Sequence, residues 1–252
     1  VNKSQNGSAI ISFIDCKWIN CHGLRTNIYI ENYSQVNFQS FHFQNVTFGK
    51  TVPILKIRKV KNLVMKEGIF FGLYGAYFWM ENMNKVSLHG NRFESINLTL
   101  NQGLQKNERM LSLFNVRSVK ITAIMNCTFR HIKGSTFQFT NSHVVKILIS
   151  VFKYCEGLDL DASVTIMNSR LKSRYVYVTH ARFLKSLGGA IKIENATTKI
   201  MQSQFTNCFR NEFGGVIYIK SQESTEPISS PGYHVTIQNC IFDQNKARLS
   251  GG

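Results

Sequence analysis

The strongest constraint on this chain is a repeating unit, most complete over residues 188–215. It reads Gly188-Gly189-Ala190-Ile191-Lys192-Ile193-Glu194-Asn195, a short polar turn, Lys199-Ile200, then Ser203-Gln204-Phe205-Thr206-Asn207-Cys208, and it closes on Gly214-Gly215. Two short segments of period 2, punctuated by turn residues and ending on a glycine pair that opens the next unit, describe one coil of a solenoid. Such a coil cannot bury its apolar side alone, so copies of it must stack.

Degenerate copies extend over most of the chain. An aromatic recurs in similar surroundings at Trp18, Phe43, Phe70, Phe93, Phe129, Phe152, Phe183, Phe205 and Phe242. The spacings, roughly 22 to 37 residues, are those of stacked repeats, with loops in the longer gaps. Three residues after most of these aromatics comes a small or apolar residue: Cys21, Val46, Leu73, Ile96, Ile132, Cys155 and Cys208. Ser186 and Asn245 are polar exceptions. Upstream lies a second register, in which a strand ends in Asn32, Asn82, Asn115, Asn141 or Asn195, and Val36, Val86, Val119 and Val145 start the next strand four residues later. Asn tolerates the left-handed backbone conformation, which a stack of identical bends requires at its corners. Only 3 of 252 residues are Pro and 43% are hydrophobic, which suits many short strands around a packed core, so we expect an all-β protein. Residues 98–108 and 221–233 are polar, hold Gly or Pro, and read as loop insertions. Over residues 156–182 the register is weakest, as one long coil or two short ones.

Gly188-Gly189-Ala190-Ile191 and Phe242-Asp243-Gln244-Asn245 resemble the GGAI and FxxN repeats of the polymorphic outer membrane proteins and related right-handed parallel β-helices of the pectin-lyase-like class. Gly214-Gly215-Val216-Ile217 and Gly7-Ser8-Ala9-Ile10 are looser copies of the first motif. The resemblance implies a right-handed parallel β-helix of about nine coils, a single segment covering residues 1–252. Three short parallel sheets would run along a rod roughly 40 Å long, its coils about 4.8 Å apart. Because Gly251-Gly252 is the pair that elsewhere introduces a coil, we expect further coils of the same polypeptide or head-to-tail self-association into a filament.

Several β-helix relatives act on polysaccharides through clustered carboxylates. Here Asp and Glu total 14, and the one suggestive pair is Asp159 and Asp161, two apart and so on one face of a strand. Lys56-Ile57-Arg58 only imitates an Arg-Ile-Lys signature. The alternative of a polysaccharide lyase or hydrolase would place its site near Asp159 and Asp161. The 7 His are scattered, and the 6 Cys fall in two fixed registers, which implies inward positions for small, mostly free thiols. We expect no metal and no cofactor.

Sequons occur at Asn2, Asn6, Asn32, Asn45, Asn97, Asn126 and Asn195. Asn32 and Asn195 fall in the turn ladder and Asn126 in a strand register, so glycans are expected at Asn2, Asn6, Asn45 and Asn97, in an extracellular or cell-surface setting. The net charge is +16, from 30 Lys and Arg. Lys56, Arg58, Lys61, Lys85, Lys120 and Lys146, with Arg117, Lys192 and Lys199, occupy or flank outward strand positions, and we expect them to lay a basic stripe along the rod. A stripe of this kind suits an acidic glycan or an anionic surface; no nucleic-acid module is recognisable. No segment approaches the roughly 20 apolar residues of a membrane span. The expected function is a non-catalytic structural or adhesive rod. Besides the enzyme, the other alternative is a basic intracellular scaffold for an acidic partner.

Overall fold

The computed structural model describes residues 9–23, 28–98, 112–157, 162–168, 174–210, 215–221 and 233–248. Among these there is no helix, and every strand pairing is parallel. The chain is an all-β right-handed parallel β-helix, the hand that parallel β crossovers nearly always take.

Three rows of strands run along it. The first row starts at Ile28–Glu31, the second at Ile10–Ile14 and the third at Lys17–Ile19. In the third row all nine aromatics stand in register from Trp18 to Phe242. Each ring stacks on the next, with centroids 4.2 to 5.5 Å apart and planes within 14° of parallel. That separation is the strand spacing of a sheet, so one residue type repeated at one register yields a continuous aromatic stack. Phe43 to Phe205 are fully buried, whereas Phe242 is 48% exposed because no described coil lies over it. The second row adds inward Val36, Leu63, Val86, Val145 and Val176, and the first row Ile30, Ile57, Met80, Val116, Phe139, Ile166 and Ile193.

A left-handed residue marks the bend after each of the three rows. After the second row these are Asp15, Ser40, Glu67, Gly90, Asn126, Ile149, His180, Gln202 and Asn239, with φ from 48° to 65°. After the third they are Asn20, Asn45, Gly72, Ser95, His131, Tyr154, Lys185, Asn207 and Gln244, with φ from 50° to 64°. The Asn register is therefore one of three corners, and only part of its corner is Asn: Lys59 and Ser118 share it with Asn32, Asn82, Asn141 and Asn195. Asn115 does not belong there. It pairs with Trp79 inside a strand, and the bend comes three residues later at Ser118.

At the bend into the third row, inward polar side chains take over hydrogen bonds that the turning backbone leaves unmade. Asn91 Oδ1 accepts from the Gly68 N–H at 2.8 Å, and Ser150 and Ser203 Oγ accept from Cys127 and Ala181 N–H, both at 3.2 Å. After the third row, Asn245 Oδ1 accepts from the Cys208 N–H at 2.9 Å, which explains that polar exception among apolar equivalents. In the weak-register stretch the strands Val151–Glu156, Val164–Met167, Tyr175–Thr179 and Arg182–Leu184 form one long coil. Of the two expected insertions, residues 99–108 and 222–232 lie outside the described residues, as do Asp159 and Asp161.

Candidate functional site

Strand alternation decides what the rod presents. In the second row, Val145, Ile147, Val176, Val178, Thr198 and Ile200 point inward and are buried. Their alternates, Val144, Lys146 and Leu148 on one strand and Tyr175, Tyr177 and Thr179 on the next, therefore face out. Together they line a shallow groove of about 380 Å³. The Tyr175 and Tyr177 rings lie side by side, centroids 6.4 Å apart and planes 14° from parallel, and Tyr175 is 40% exposed. Lys146 pairs in register with Tyr177, and Tyr177 with Lys199, so an exposed lysine stands one coil to either side of the ring. The Lys146 Nζ sits 5.9 Å from the Tyr177 centroid, a cation–π separation. No carboxylate lines the groove, and among the described residues neither lysine joins an ion pair. The chemistry on offer is an aromatic platform between two cations.

Of the expected basic stripe, the structure brings Lys146 and Lys199 to this groove, on either side of Tyr177, and distributes the others elsewhere. Lys56 lies in the first row between Tyr29 and Trp79, its Nζ 5.9 Å from the Tyr29 ring. Arg58 stands between Glu31 and Glu81 in the same row, with its Nε 3.0 Å from Glu81. Its charge is therefore largely answered. Hydrogen bonds from the Tyr29 hydroxyl and from Lys59 hold the Glu31 carboxyl below the usual range. Lys61 and Lys120 occupy the bend between the first and second rows, where the Lys61 carbonyl accepts from both Asn84 and Lys85. Lys85 begins the second row, in a different outward column from Lys146. The left-handed corner at Lys59, φ 52°, turns the chain between Arg58 and Lys61, so proximity in sequence became separation on two faces. Sequence reasoning overlooked Tyr175 and Tyr177. Counting outward alternates from inward Val176 would have found them.

The sequons sort by corner. Asn45 is exposed at φ 50°, and its Nδ2 donates to Asn20 Oδ1 at 3.2 Å. Asn97 ends the strand Arg92–Asn97 half-buried. Asn2 and Asn6 lie outside the described residues. Asn126 is an exposed corner residue at φ 51°, not an inward strand position, because the left-handed bend swings its side chain to solvent. Asn32 is likewise exposed, while Asn195 is buried and its Nδ2 donates to the Asn168 carbonyl at 2.9 Å. All six cysteines are free; Cys127, Cys155 and Cys208 are buried. Burial pushes the Cys127 thiol up to about 11 and the Cys155 thiol up to about 12. Among the described residues no three His, Cys, Asp or Glu gather as a metal site.

No protein-family model matches this chain, and no curated protein matches it. Among solved structures it is similar to HetL, a pentapeptide repeat protein involved in heterocyst differentiation regulation in the cyanobacterium Nostoc, at 12% identity and a TM-score of 0.26, over 84% of each chain. The fold assignment rests on the strand register of the chain itself.

Proposed function

We propose that this chain is a non-catalytic β-helix rod of a surface or extracellular protein, and that it adheres to acidic glycans through the outer face of its second row of strands. The observation that carries this is the column Lys146, Tyr177, Lys199, with Tyr175 beside it and no carboxylate in the groove. A pyranose ring lays its C–H face on an aromatic ring, and flanking ammonium groups meet the carboxylates of a uronic acid. One sugar unit is close in length to the coil spacing of about 4.8 Å. A glycan running along the rod would therefore offer successive anionic groups to successive coils.

Three further features support a surface rod. The Gly188-Gly189-Ala190-Ile191 and Phe242-Asp243-Gln244-Asn245 segments are similar to repeats of the polymorphic outer membrane proteins, and Gly188 and Gly189 occupy φ of 86° and 95°, which favour glycine. Sequons at the exposed corners Asn32, Asn45 and Asn126 suit a glycosylated protein. Inward Phe242 and Ile237 of the last described coil are 48% and 46% exposed, an apolar end face suited to self-association with a second copy.

Titration calorimetry with a polyuronate and with a neutral glucan of equal length tests the groove. The polyuronate should bind, more weakly as salt rises, and Lys146→Ala with Lys199→Ala should reduce its affinity at least tenfold; the glucan should not bind. Binding unchanged by the double substitution would overturn the reading. Intact mass of the secreted protein before and after glycosidase treatment checks the setting.

A further inference from the structure

The outward charges of the rod follow two different rules. Along the first row the column Glu31, Arg58, Glu81, Arg117 alternates in sign from coil to coil. Arg58 pairs with Glu81 at 3.0 Å, Lys59 with Glu31 at 3.2 Å, and the Arg117 guanidinium lies 4.4 Å from the Trp79 ring. Like charges directly opposite one another on adjacent strands are destabilising, and this face avoids them.

The third row does the opposite at its fifth to seventh coils. Arg130 and Lys153 are register partners, side by side on adjacent strands. Lys153 and the corner residue Lys185 both bring their ammonium groups onto one ring, that of Tyr154, at 5.1 and 5.2 Å from its centroid. The Lys185 Nζ also donates to the Tyr154 hydroxyl at 3.4 Å. His131 stacks on the same ring at 4.8 Å and 13°. Arg182 and Lys133 are exposed on the strands that carry Lys185's coil and Arg130. Two carboxylates are near in register. Glu94 lies beside Arg130 but is held by Arg92 Nε at 2.9 Å, and Glu156 stands opposite Lys133. Among the described residues none of Arg130, Lys153, Arg182 and Lys185 joins an ion pair. His131, Tyr154 and Lys185 moreover all hold left-handed backbones, at φ of 52°, 55° and 55°, so their side chains leave the sheet at a shared corner and converge there.

From this we infer a second ligand site, distinct from the groove: the corner formed by Arg130, His131, Lys153, Tyr154 and Lys185 binds sulfate groups of a sulfated glycan. Several donors on three successive coils suit an oxyanion with three free oxygens, repeated at the spacing of the coils. The Tyr154 ring, stacked on His131 and contacted by both ammonium groups, gathers the two lysines at one place. The site does not rest on the groove reading, since the two faces share no residue.

The test is titration of the full chain with a sulfated oligosaccharide and with the same oligosaccharide desulfated. Three proteins are compared: the parent, Lys153→Ala with Lys185→Ala, and the groove variant Lys146→Ala with Lys199→Ala. Sulfated ligand should bind the parent, lose at least tenfold in affinity to the corner variant, and keep its parental affinity within threefold for the groove variant. Without ligand, the corner variant should melt within about 3 °C of the parent, because relief of the Arg130–Lys153 repulsion offsets the lost contacts of the two lysines with the Tyr154 ring. Corner substitutions that leave sulfated-ligand affinity within twofold overturn the site, as does a desulfated ligand that binds equally well. A corner variant that melts well below the parent assigns the lysines to structure and also overturns it. Sedimentation with anionic phospholipid vesicles, lost in the corner variant while the sulfated oligosaccharide fails to bind, would replace the glycan with a membrane surface and overturn the proposed occupant.

Discussion

Truncating Phe152 to Ala removes a ring from the middle of the aromatic stack. Phe152 is fully buried, stacked on Phe129 at 4.8 Å and Phe183 at 4.6 Å, and met edge-on by Phe137 at 6.3 Å. A buried Phe→Ala change costs about 3 to 5 kcal/mol, the upper end where the surroundings cannot collapse. Collapse is blocked here because hydrogen bonds fix the coil spacing: the Val151 N–H donates to the Cys127 carbonyl and the Arg182 N–H to the Ser150 carbonyl, both at 2.9 Å. We therefore expect about 4 to 5 kcal/mol, a large part of the stability of an ordinary domain. Phe242→Ala is the internal control. That ring is 48% exposed with one stacked neighbour, Phe205 at 5.1 Å, and its truncation should cost about 1 to 2 kcal/mol on the same area-based reasoning. Urea denaturation of both variants, with the slope compared to that of the parent, measures the difference. A loss below about 2 kcal/mol for Phe152→Ala, or equal losses at the two positions, would refute the claim that the coils cannot close on the gap.

Other positions give sharper local tests. A Cβ at residue 68 would lie 2.6 Å from the Phe41 ring and 2.8 Å from Asn91 Oδ1, so Gly68→Ala should destabilise by about 1 to 3 kcal/mol in thermal melts, and pairing it with Phe41→Leu should recover part of that. Ile149 is β-branched, 60% exposed and left-handed at φ 51°; Ile149→Asn should stabilise by about 1 kcal/mol in the same assay. Burial raises the thiols of Cys127, Cys155 and Cys208 above their ordinary value of 9.0. Their protonated forms therefore support the native state fully below about pH 9, and that contribution is lost as pH climbs through the native values, because the unfolded chain releases its protons first. Denaturant midpoints should fall between pH 9 and pH 11, and a Cys127→Ala, Cys155→Ala, Cys208→Ala variant should show a shallower decline.

The period of the coil, the aromatic register and the inward cysteines were legible in the sequence because a parallel stack repeats one environment every coil, so the same residue type recurs wherever that environment must be filled. Phe43 to Phe205 all sit where counting placed them, and Cys127, Cys155 and Cys208 are buried as their two recurring registers implied. Corners were read less well. Asn marks a left-handed bend only statistically, and here His131, Tyr154, Lys185 and Ile149 adopt it too, since interstrand hydrogen bonds on both sides leave the chain no other way to turn. An Asn inside a strand and an Asn at a bend look alike in sequence, so the register takes Asn115 for a corner that lies at Ser118 and takes Asn126 for a strand position when it is itself a corner. Surface sites were the least legible. Lys56, Arg58, Lys61, Lys85, Lys120 and Lys146 share a composition but not a face. By contrast, Lys146, Tyr177 and Lys199 meet across coils 31 and 22 residues long, whose lengths come from loops that no period predicts. Sequence alone determined what lies inside the rod. Tertiary structure decided which side chains become neighbours on its surface, because neighbourhood there depends on register between coils and not on distance along the chain.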